Sequence, residues 1–164
     1  KAAHLQVSAP TVYEYIKYCT DACVLSRVER YDIRGKKILS YEEKTYVSDL
    51  GFFQLKKNRA KDEFSLIAET LVYNELIARG YRVYIGKTQK GEIDFIAQKQ
   101  KEKCYIQVAY RLDSQHTIDR EFGAFDAIKD HYPKYVISFD ELTMGDQNGI
   151  VHIPLLKFLT QDVV

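Results

Sequence analysis

The chain has 164 residues, of which 46% are hydrophobic and 29% charged, a composition typical of one ordinary globular domain or two small ones. Its formal net charge is +1, so any attraction for nucleic acid must come from local patches rather than from an overall field. No run of about 18 apolar residues is present, which argues against a membrane span, and no signal peptide is visible. We therefore expect a cytoplasmic protein without a membrane partner.

The start of the chain and its cysteines give two further expectations. The chain begins at Lys1 and its only methionine is Met144, which indicates a fragment or processed product of a longer protein. Cys19 and Cys23 are four residues apart and could supply two metal ligands, but no histidine or second cysteine pair lies nearby in sequence to complete a tetrahedral site. Together with Cys104, they are better interpreted as reduced thiols.

The N-terminal part is predicted to form a helix followed by a β-hairpin. Ser8 is a plausible N-cap, and apolar or aromatic residues recur at helical spacing from Val12 to Cys23. The segment "VLSRVERYDI" is typical of a strand, and "ILSYEEKTYVSD" is predicted to be the return strand. The turn between them, "RGKK", carries three cations, which we call the basic tip: Arg34, Lys36 and Lys37.

A basic connector follows the hairpin. In the stretch 51–61, Lys56, Lys57, Arg59 and Lys61 fall within six residues. This change in composition marks the predicted domain boundary, with one unit at residues 1–50 and a second at 62–164.

The second unit is predicted to be an α/β domain with a mixed sheet flanked by helices. Residues 62–79 carry an apolar stripe with a period of 3.6 residues and end before Gly80, which indicates a helix. Three strands follow, "YRVYIGK", "EIDFIAQ" and "KCYIQVAY". A helix is then expected from about Thr117 to His131, followed by the strand "PKYVISFD" and by "GIVHIPLLKFLT", a strand leading into a short helix.

The pair of strands in "EIDFIAQKQKEKCYIQVAY" carries the candidate chemistry. Asp94 lies in the first strand and Gln107 in the second, each flanked by apolar residues, and Glu69 lies at the edge of the apolar stripe of the preceding helix. Two carboxylates and an amide oxygen could hold Mg²⁺. Glu92 precedes Asp94 by two residues. Alternatively, Asp94 points to a solvated face of the sheet.

These segments, with "IAETLVYNELIARGYRVYIGK" before them, resemble the PD-(D/E)xK nuclease superfamily and its restriction-endonuclease-like fold. More closely, nearly the whole chain resembles the C-terminal domain of unknown function of prokaryotic AAA+-type ATPases. The resemblance also covers residues 8–52, which are similar to the last part of the family's winged helix-turn-helix. The helix from Ser8 would be the recognition helix, and the basic tip would be the tip of the wing. No "GxxxxGK[ST]" motif occurs, so ATP and the ATPase domain would belong to another part of the polypeptide.

The resemblance implies roles for three residues by position. Glu69 matches the helical acid, Asp94 the strand acid, and Gln107 the first residue of the (D/E)xK motif; together they would be the catalytic and metal-binding residues, with Mg²⁺ or Mn²⁺. Two departures oppose catalysis, because Gln107 replaces a carboxylate and Ala109 replaces the lysine. Losing such an electrostatic stabiliser typically costs about 10²–10³ in rate. Lys87, Lys90 and Arg111 are candidates for a relocated lysine.

Other residues compete for or border this site. Glu75 is a rival for the helical acid, but it could pair with Arg79 one helical turn later. His116, Arg120 and Glu121 would lie beside the same cleft, although surface charge is the favoured interpretation of each.

Three functional hypotheses remain open. The first is a module associated with duplex or branched DNA, built on an inactive nuclease fold that serves an ATPase on the same polypeptide. It would contact phosphates through the basic tip and through the connector cations Lys56, Lys57 and Arg59. The second is an active nuclease dependent on Mg²⁺ or Mn²⁺. The third is a protein-interaction scaffold that regulates the ATPase.

Overall fold

The computed structural model describes residues 7–55 and 62–164, in which eight strands form one mixed sheet of order β2-β1-β3-β4-β5-β6-β8-β7. The strands are β1 (Leu25–Asp32), β2 (Lys37–Val47), β3 (Arg82–Lys87), β4 (Glu92–Lys99), β5 (Glu102–Ala109), β6 (Lys134–Ser138), β7 (Asp146–Gln147) and β8 (Ile150–Pro154). The helices are α1 (Ala9–Asp21), α2 (Asp62–Ala78), α3 (Gln115–Gly123) and α4 (Leu155–Thr160). The predicted mixed sheet flanked by helices is confirmed.

Helices cover both faces of the sheet. The stripe of α2 brings Ala68, Val72 and Leu76 into one apolar cluster that also contains Phe158 of α4. Phe122, at the end of α3, packs into the cluster on the opposite face. The sheet is therefore the middle layer. Within the described ranges, no helix is long and apolar enough to cross a membrane.

The N-terminal hairpin belongs to this same sheet. β1 pairs with β2 in antiparallel fashion and with β3 in parallel fashion, with Asp32 opposite Lys87. The predicted boundary after residue 50 thus does not coincide with a break in the sheet, and the division into two units stays a prediction. The connector cations Lys56, Lys57, Arg59 and Lys61 lie outside the described residues.

The first helix forms as predicted but does not contribute to the core. Ser8 caps it by accepting a hydrogen bond from the backbone N–H of Thr11, and none of the helix residues is buried. Tyr13, Tyr15 and Tyr18 are 70%, 64% and 57% exposed. The helical spacing of its apolar residues therefore reflects an uncovered surface in this structure.

The prediction of one helix from Thr117 to His131 is wrong in its second half. The α-helix ends at Gly123, a 3₁₀ turn covers Ala124–Ala127, and Ile128 is already extended. Phe122, Phe125 and Ile128 are all buried at a spacing of three residues, which a 3₁₀ turn can place on one side. Pro133 also disfavours helical conformation at the residue before it.

Candidate functional site

Strands β4 and β5 separate at the position of Asp94 and Gln107. Their ladder runs only as far as Phe95 opposite Ile106; beyond that point β4 pairs with β3 and β5 with β6. A bulge in β4, opposite Tyr84–Gly86 of β3, re-aims its side chains at this point. Bulges of this kind are frequent beside functional sites.

Two side chains bridge the gap between the separated strands. Asp94 Oδ2 accepts a hydrogen bond from the backbone N–H of Val108 at 2.8 Å, and Gln107 Oε1 accepts one from the backbone N–H of Asp94 at 3.3 Å. Both side chains therefore replace the ladder bonds that the strands no longer make. The alternative prediction that Asp94 faces solvent is wrong, since the residue is only 8% exposed.

Burial, and after it the negative charges of Glu69 and Glu121, raise the pKa of Asp94 to about 7. The Val108 N–H and the Lys44 ammonium act in the opposite direction. A carboxyl group with so high a pKa is common at functional sites, where charge is concentrated at a cost in stability.

Lys44, from β2, lies among three carboxylates that we call the acidic centre: Glu69, Glu92 and Asp94. Its Nζ is 2.6 Å from Glu92 Oε1, 3.4 Å from Glu69 Oε2 and 4.0 Å from Asp94 Oδ1. The Lys44 side chain is 29% exposed, so these contacts are partly shielded from water. One ammonium group thus faces acids from α2 and β4.

Two further hairpin residues complete the surroundings of the acidic centre. The guanidinium group of Arg30, on β1, forms an ion pair with Glu92 Oε2. The hydroxyl of Tyr46, two residues after Lys44, donates a hydrogen bond to Glu69 Oε2 at 3.1 Å. Burial first, and then the charges of Glu69 and Asp94, raise the pKa of Tyr46 well above its usual range, so it remains a neutral donor.

The arrangement around Lys44 does not fit a divalent metal ion. Among the residues that the structure describes, no group of three or more His, Cys, Asp or Glu side chains is placed to hold one. One oxygen of each carboxylate of the acidic centre faces Lys44 Nζ. A divalent ion about 4 Å from that ammonium would be repelled by about 8 kcal/mol at an effective dielectric constant of ~20.

Of the other residues predicted to compete for or border the site, some are buried or paired and others are exposed. Glu75 Oε1 accepts from Arg79 Nε at 2.7 Å, so the predicted pair within the helix is confirmed. His116 is exposed. Glu121 is not a surface charge as favoured from sequence: it is 4% exposed and paired with the exposed Arg120.

An open cleft of about 700 Å³ contains Glu69, Asp94 and Gln107. The structure therefore brings the three predicted site residues together at one edge of the sheet. Ala109 also lines the cleft, as a buried apolar residue. Lys90, Arg111 and Arg120 supply positive charge to its walls, whereas Asp113, Asp119 and Glu121 supply negative charge.

The basic tip lies next to this edge. Because β1 and β3 are parallel, the turn after β1 and the turn after β3 emerge side by side, and the backbone N–H of Ile33 donates to the carbonyl of Lys87 at 3.1 Å. Arg34, Lys36 and Lys37 are exposed there, as are Lys87 and Lys90.

The sequence did not indicate Lys44, Arg30 or Tyr46 as site residues. Each lies on the hairpin, and its position beside Glu69 or Glu92 depends on the pairing of β1 with β3 across the connector. The alternation in "EKTYV", which places Lys44 and Tyr46 on one face of a strand, could have indicated those two residues.

A second buried polar cluster lies further along the same edge, between β6 and β8. His152 Nε2 is 2.9 Å from Ser138 Oγ, and Ser138 Oγ donates to Asp140 Oδ2 at 2.7 Å. His152 Nδ1 accepts from the backbone N–H of Met144 at 2.9 Å, so the ring proton belongs on Nε2 and points to the serine. Because this histidine donates to the serine, it is not arranged as a general base.

Comparisons with known proteins place these residues in a family. The chain is 32% identical over 152 residues to an uncharacterized protein of Haemophilus influenzae, covering 92% of this chain and 37% of the relative. It is 26% identical over 167 residues to an uncharacterized protein of Methanocaldococcus jannaschii, covering 93% of this chain and 36% of that relative. The chain thus spans little more than a third of the curated relatives it matches. Residues 64–158 match the family described as "Domain of unknown function (DUF4143)", and the chain belongs to that family.

Proposed function

We propose that the chain is a DNA-associated module on a nuclease-like fold whose acidic centre does not cleave DNA. The observation that carries the proposal is the parallel pairing of β1 with β3, which places the exposed basic tip beside the exposed Lys87, at the end of β3, and Lys90, in the turn after it. Together with Arg111 on the cleft wall, these cations provide phosphate contacts near the acidic centre. The nuclease-like fold and the role of the basic tip as the tip of a wing are taken from the resemblance.

The proposal extends to the longer polypeptide. The resemblance to the C-terminal domain of AAA+-type ATPases implies that an ATP-binding domain on the same polypeptide is the first partner of this module. The share of the relatives that the chain covers, 37% and 36%, leaves room for such a domain in those proteins. We further propose a cytoplasmic location, in keeping with the three free thiols at Cys19, Cys23 and Cys104.

The residues around the acidic centre support the proposal that the chain does not cleave DNA. The position of the motif lysine is occupied by the buried Ala109. The amide oxygen of Gln107 is already bonded to the backbone of Asp94. Glu69 Oε2 and Glu92 Oε1 contact Lys44 Nζ rather than an open space between the carboxylates.

Binding of duplex and branched DNA at several salt concentrations tests the proposal. The logarithm of the association constant should fall linearly with the logarithm of the salt concentration. In an Arg34→Ala/Lys36→Ala variant, the magnitude of this slope should decrease by about 1–2, because each lost phosphate contact removes roughly one released counterion. A Lys101→Ala/Lys157→Ala variant is the matched control, since it removes the same charge from exposed positions outside the basic tip.

Two results would contradict the proposal. Equal loss of affinity in the tip variant and the control would mean that binding reflects total charge only. Cleavage of supercoiled DNA in the presence of Mn²⁺, abolished by Asp94→Ala, would show an active nuclease instead.

A second candidate function is supported by helix α1. Its aromatic residues Tyr13, Tyr15 and Tyr18 are exposed, and none of its residues is buried. We propose as the alternative that this exposed helix docks against the ATPase domain of the same polypeptide. Tyr13→Ala/Tyr18→Ala should then weaken association with that domain while leaving DNA affinity unchanged; loss of DNA affinity alone would assign the helix to DNA.

A further inference from the structure

We propose that the side-chain ammonium of Lys44 is the resident cation of the acidic centre, in the place where a metal-dependent nuclease would hold a divalent ion. The inference does not rest on DNA binding. It concerns only which cation neutralises Glu69, Glu92 and Asp94, and it can be right or wrong whatever the chain binds.

The contacts of the ammonium support this role. Lys44 Nζ lies within 4.0 Å of one oxygen from each of the three carboxylates. Other oxygens of the centre face protein donors, since Asp94 Oδ2 accepts from Val108 N–H and Glu92 Oε2 is paired with Arg30. The oxygens directed to the middle of the centre are therefore those that meet Lys44.

The charge of the centre explains why a cation is needed there. Three carboxylates converge on Lys44, and Glu92 also forms an ion pair with Arg30. Asp94 is almost fully buried, where an uncompensated negative charge is costly. Lysine supplies a compact point charge with three donors, which suits contact with several carboxylates at once.

Lys44 also links the N-terminal hairpin to α2 and β4. The residue is on β2, opposite Val28 of β1, whereas its partners are on α2 and β4. The ion pairs of Lys44 and Arg30 thus attach the hairpin to the site. Any change that displaces the hairpin would expose the three carboxylates to solvent and to metal ions.

A latent metal site follows from this arrangement. In the unaltered chain, Glu69, Glu92 and Asp94 are not placed to hold a metal ion together. Lys44→Ala removes the ammonium group that lies among their oxygens, so the three side chains can move closer to one another. Hard oxygen ligands of this kind are those that Mn²⁺ and Mg²⁺ prefer. The variant should therefore bind Mn²⁺, and the unaltered chain should not.

The test compares the unaltered chain with Lys44→Ala, Lys44→Arg and the control Lys17→Ala. Lys17 forms an exposed ion pair with Asp21 at 3.1 Å and so reports the cost of losing an ordinary surface pair. In EDTA at low salt, Lys44→Ala should lower the Tm by about 3–8 °C. Millimolar MnCl₂ should restore part of that loss in Lys44→Ala only, and Mn²⁺ binding should appear by electron paramagnetic resonance in that variant alone.

Three outcomes would overturn the proposal. The first is Mn²⁺ binding by the unaltered chain, which can be measured even if Lys44→Ala fails to fold. The second is an unchanged Tm and no Mn²⁺ binding in a folded Lys44→Ala variant. The third is Mn²⁺-dependent DNA cleavage by the unaltered chain that Lys44→Ala abolishes, since Lys44 would then assist a bound metal instead of replacing it. Lys44→Arg keeps the cation and should behave as the unaltered chain in Mn²⁺.

Discussion

The two buried polar clusters at the strand ends differ in how their polar and charged groups are paired. In the cluster of Ser138, Asp140 and His152, each described contact is a hydrogen bond with a complementary partner, including the backbone N–H of Met144 and of Leu112. In the acidic centre, three carboxylates converge on Lys44, and Asp94 has a pKa raised to about 7. The hydrogen bonds of the first cluster stabilise the fold. The clustered carboxylates of the second lower the stability of the fold, which is common at functional sites.

The largest effect should come from breaking the first cluster. His152→Ala removes a side chain that is 2% exposed, leaves the Met144 N–H without its acceptor and takes one hydrogen bond from the Ser138 hydroxyl. We expect the free energy of unfolding to fall by about 2–4 kcal/mol, measured by urea denaturation. His131→Ala, at an exposed position, is the control and should have little effect. Equal effects of the two variants would contradict a structural role for His152.

The acidic centre should respond in the opposite direction. Because burial and Glu69 raise the pKa of Asp94 to about 7, its ionised form destabilises the folded chain at higher pH. Asp94→Asn should therefore increase the free energy of unfolding by about 1–3 kcal/mol near pH ~8. Asp113→Asn, at an exposed position on the same cleft, is the control. A loss of stability in Asp94→Asn would mean that the carboxylate is needed to hold the strands and Lys44 in place.

The two clusters also differ in the sign of their pH dependence. Burial lowers the pKa of His152, so its contribution is complete above the unfolded value near 6.5 and is lost as the pH falls through the lower folded value. The raised pKa of Asp94 gives a contribution that is complete below about pH 4 and is lost as the pH rises through about 7. His152→Gln should remove the decline in acid, and Asp94→Asn should remove the decline between about pH 4 and pH 7.

Denaturation across this pH range in the two variants checks both signs in one series. If either variant keeps the full pH dependence of the unaltered chain, the assignment of that slope to its residue is wrong.

Much of this fold was predictable because its elements follow local rules. The stripe of α2, the capping of α1 by Ser8 and the strand that contains Asp94 each depend on neighbouring residues, and each prediction is confirmed or correct to within a few residues. The helix after Ser114 was predicted too long, because a 3₁₀ turn buries the same apolar residues that a continued α-helix was expected to bury.

The candidate site was predictable only in part, for a physical reason. Glu69, Asp94 and Gln107 come from elements that adjoin in sequence, and they do line one cleft. Lys44 and Arg30 reach the site through the pairing of β1 with β3, which joins segments on either side of the connector. The burial of Glu121 likewise depends on how α3 packs on the sheet.

The smallest effect should be seen at the rejected helical acid. Glu75 pairs with Arg79 within α2, so Glu75→Gln should change the free energy of unfolding by only about 0.3–0.5 kcal/mol. It should also leave the pKa of Asp94 unchanged, whereas Glu69→Gln should lower that pKa, because Glu69 is one of the charges that raise it. Carboxyl ¹³C NMR titration measures both. A shift of the Asp94 titration in Glu75→Gln would show that the two helical acids have been assigned the wrong way round.

The central claim is that the acidic centre holds the ammonium of Lys44 in place of a metal ion. Crystals of the unaltered chain and of Lys44→Ala, both soaked in MnCl₂, test it by anomalous scattering. The account predicts a manganese peak among Glu69, Glu92 and Asp94 in the variant only, with Lys44 Nζ at that position in the unaltered chain. A manganese peak in the unaltered chain, with Lys44 displaced from the carboxylates, would contradict it.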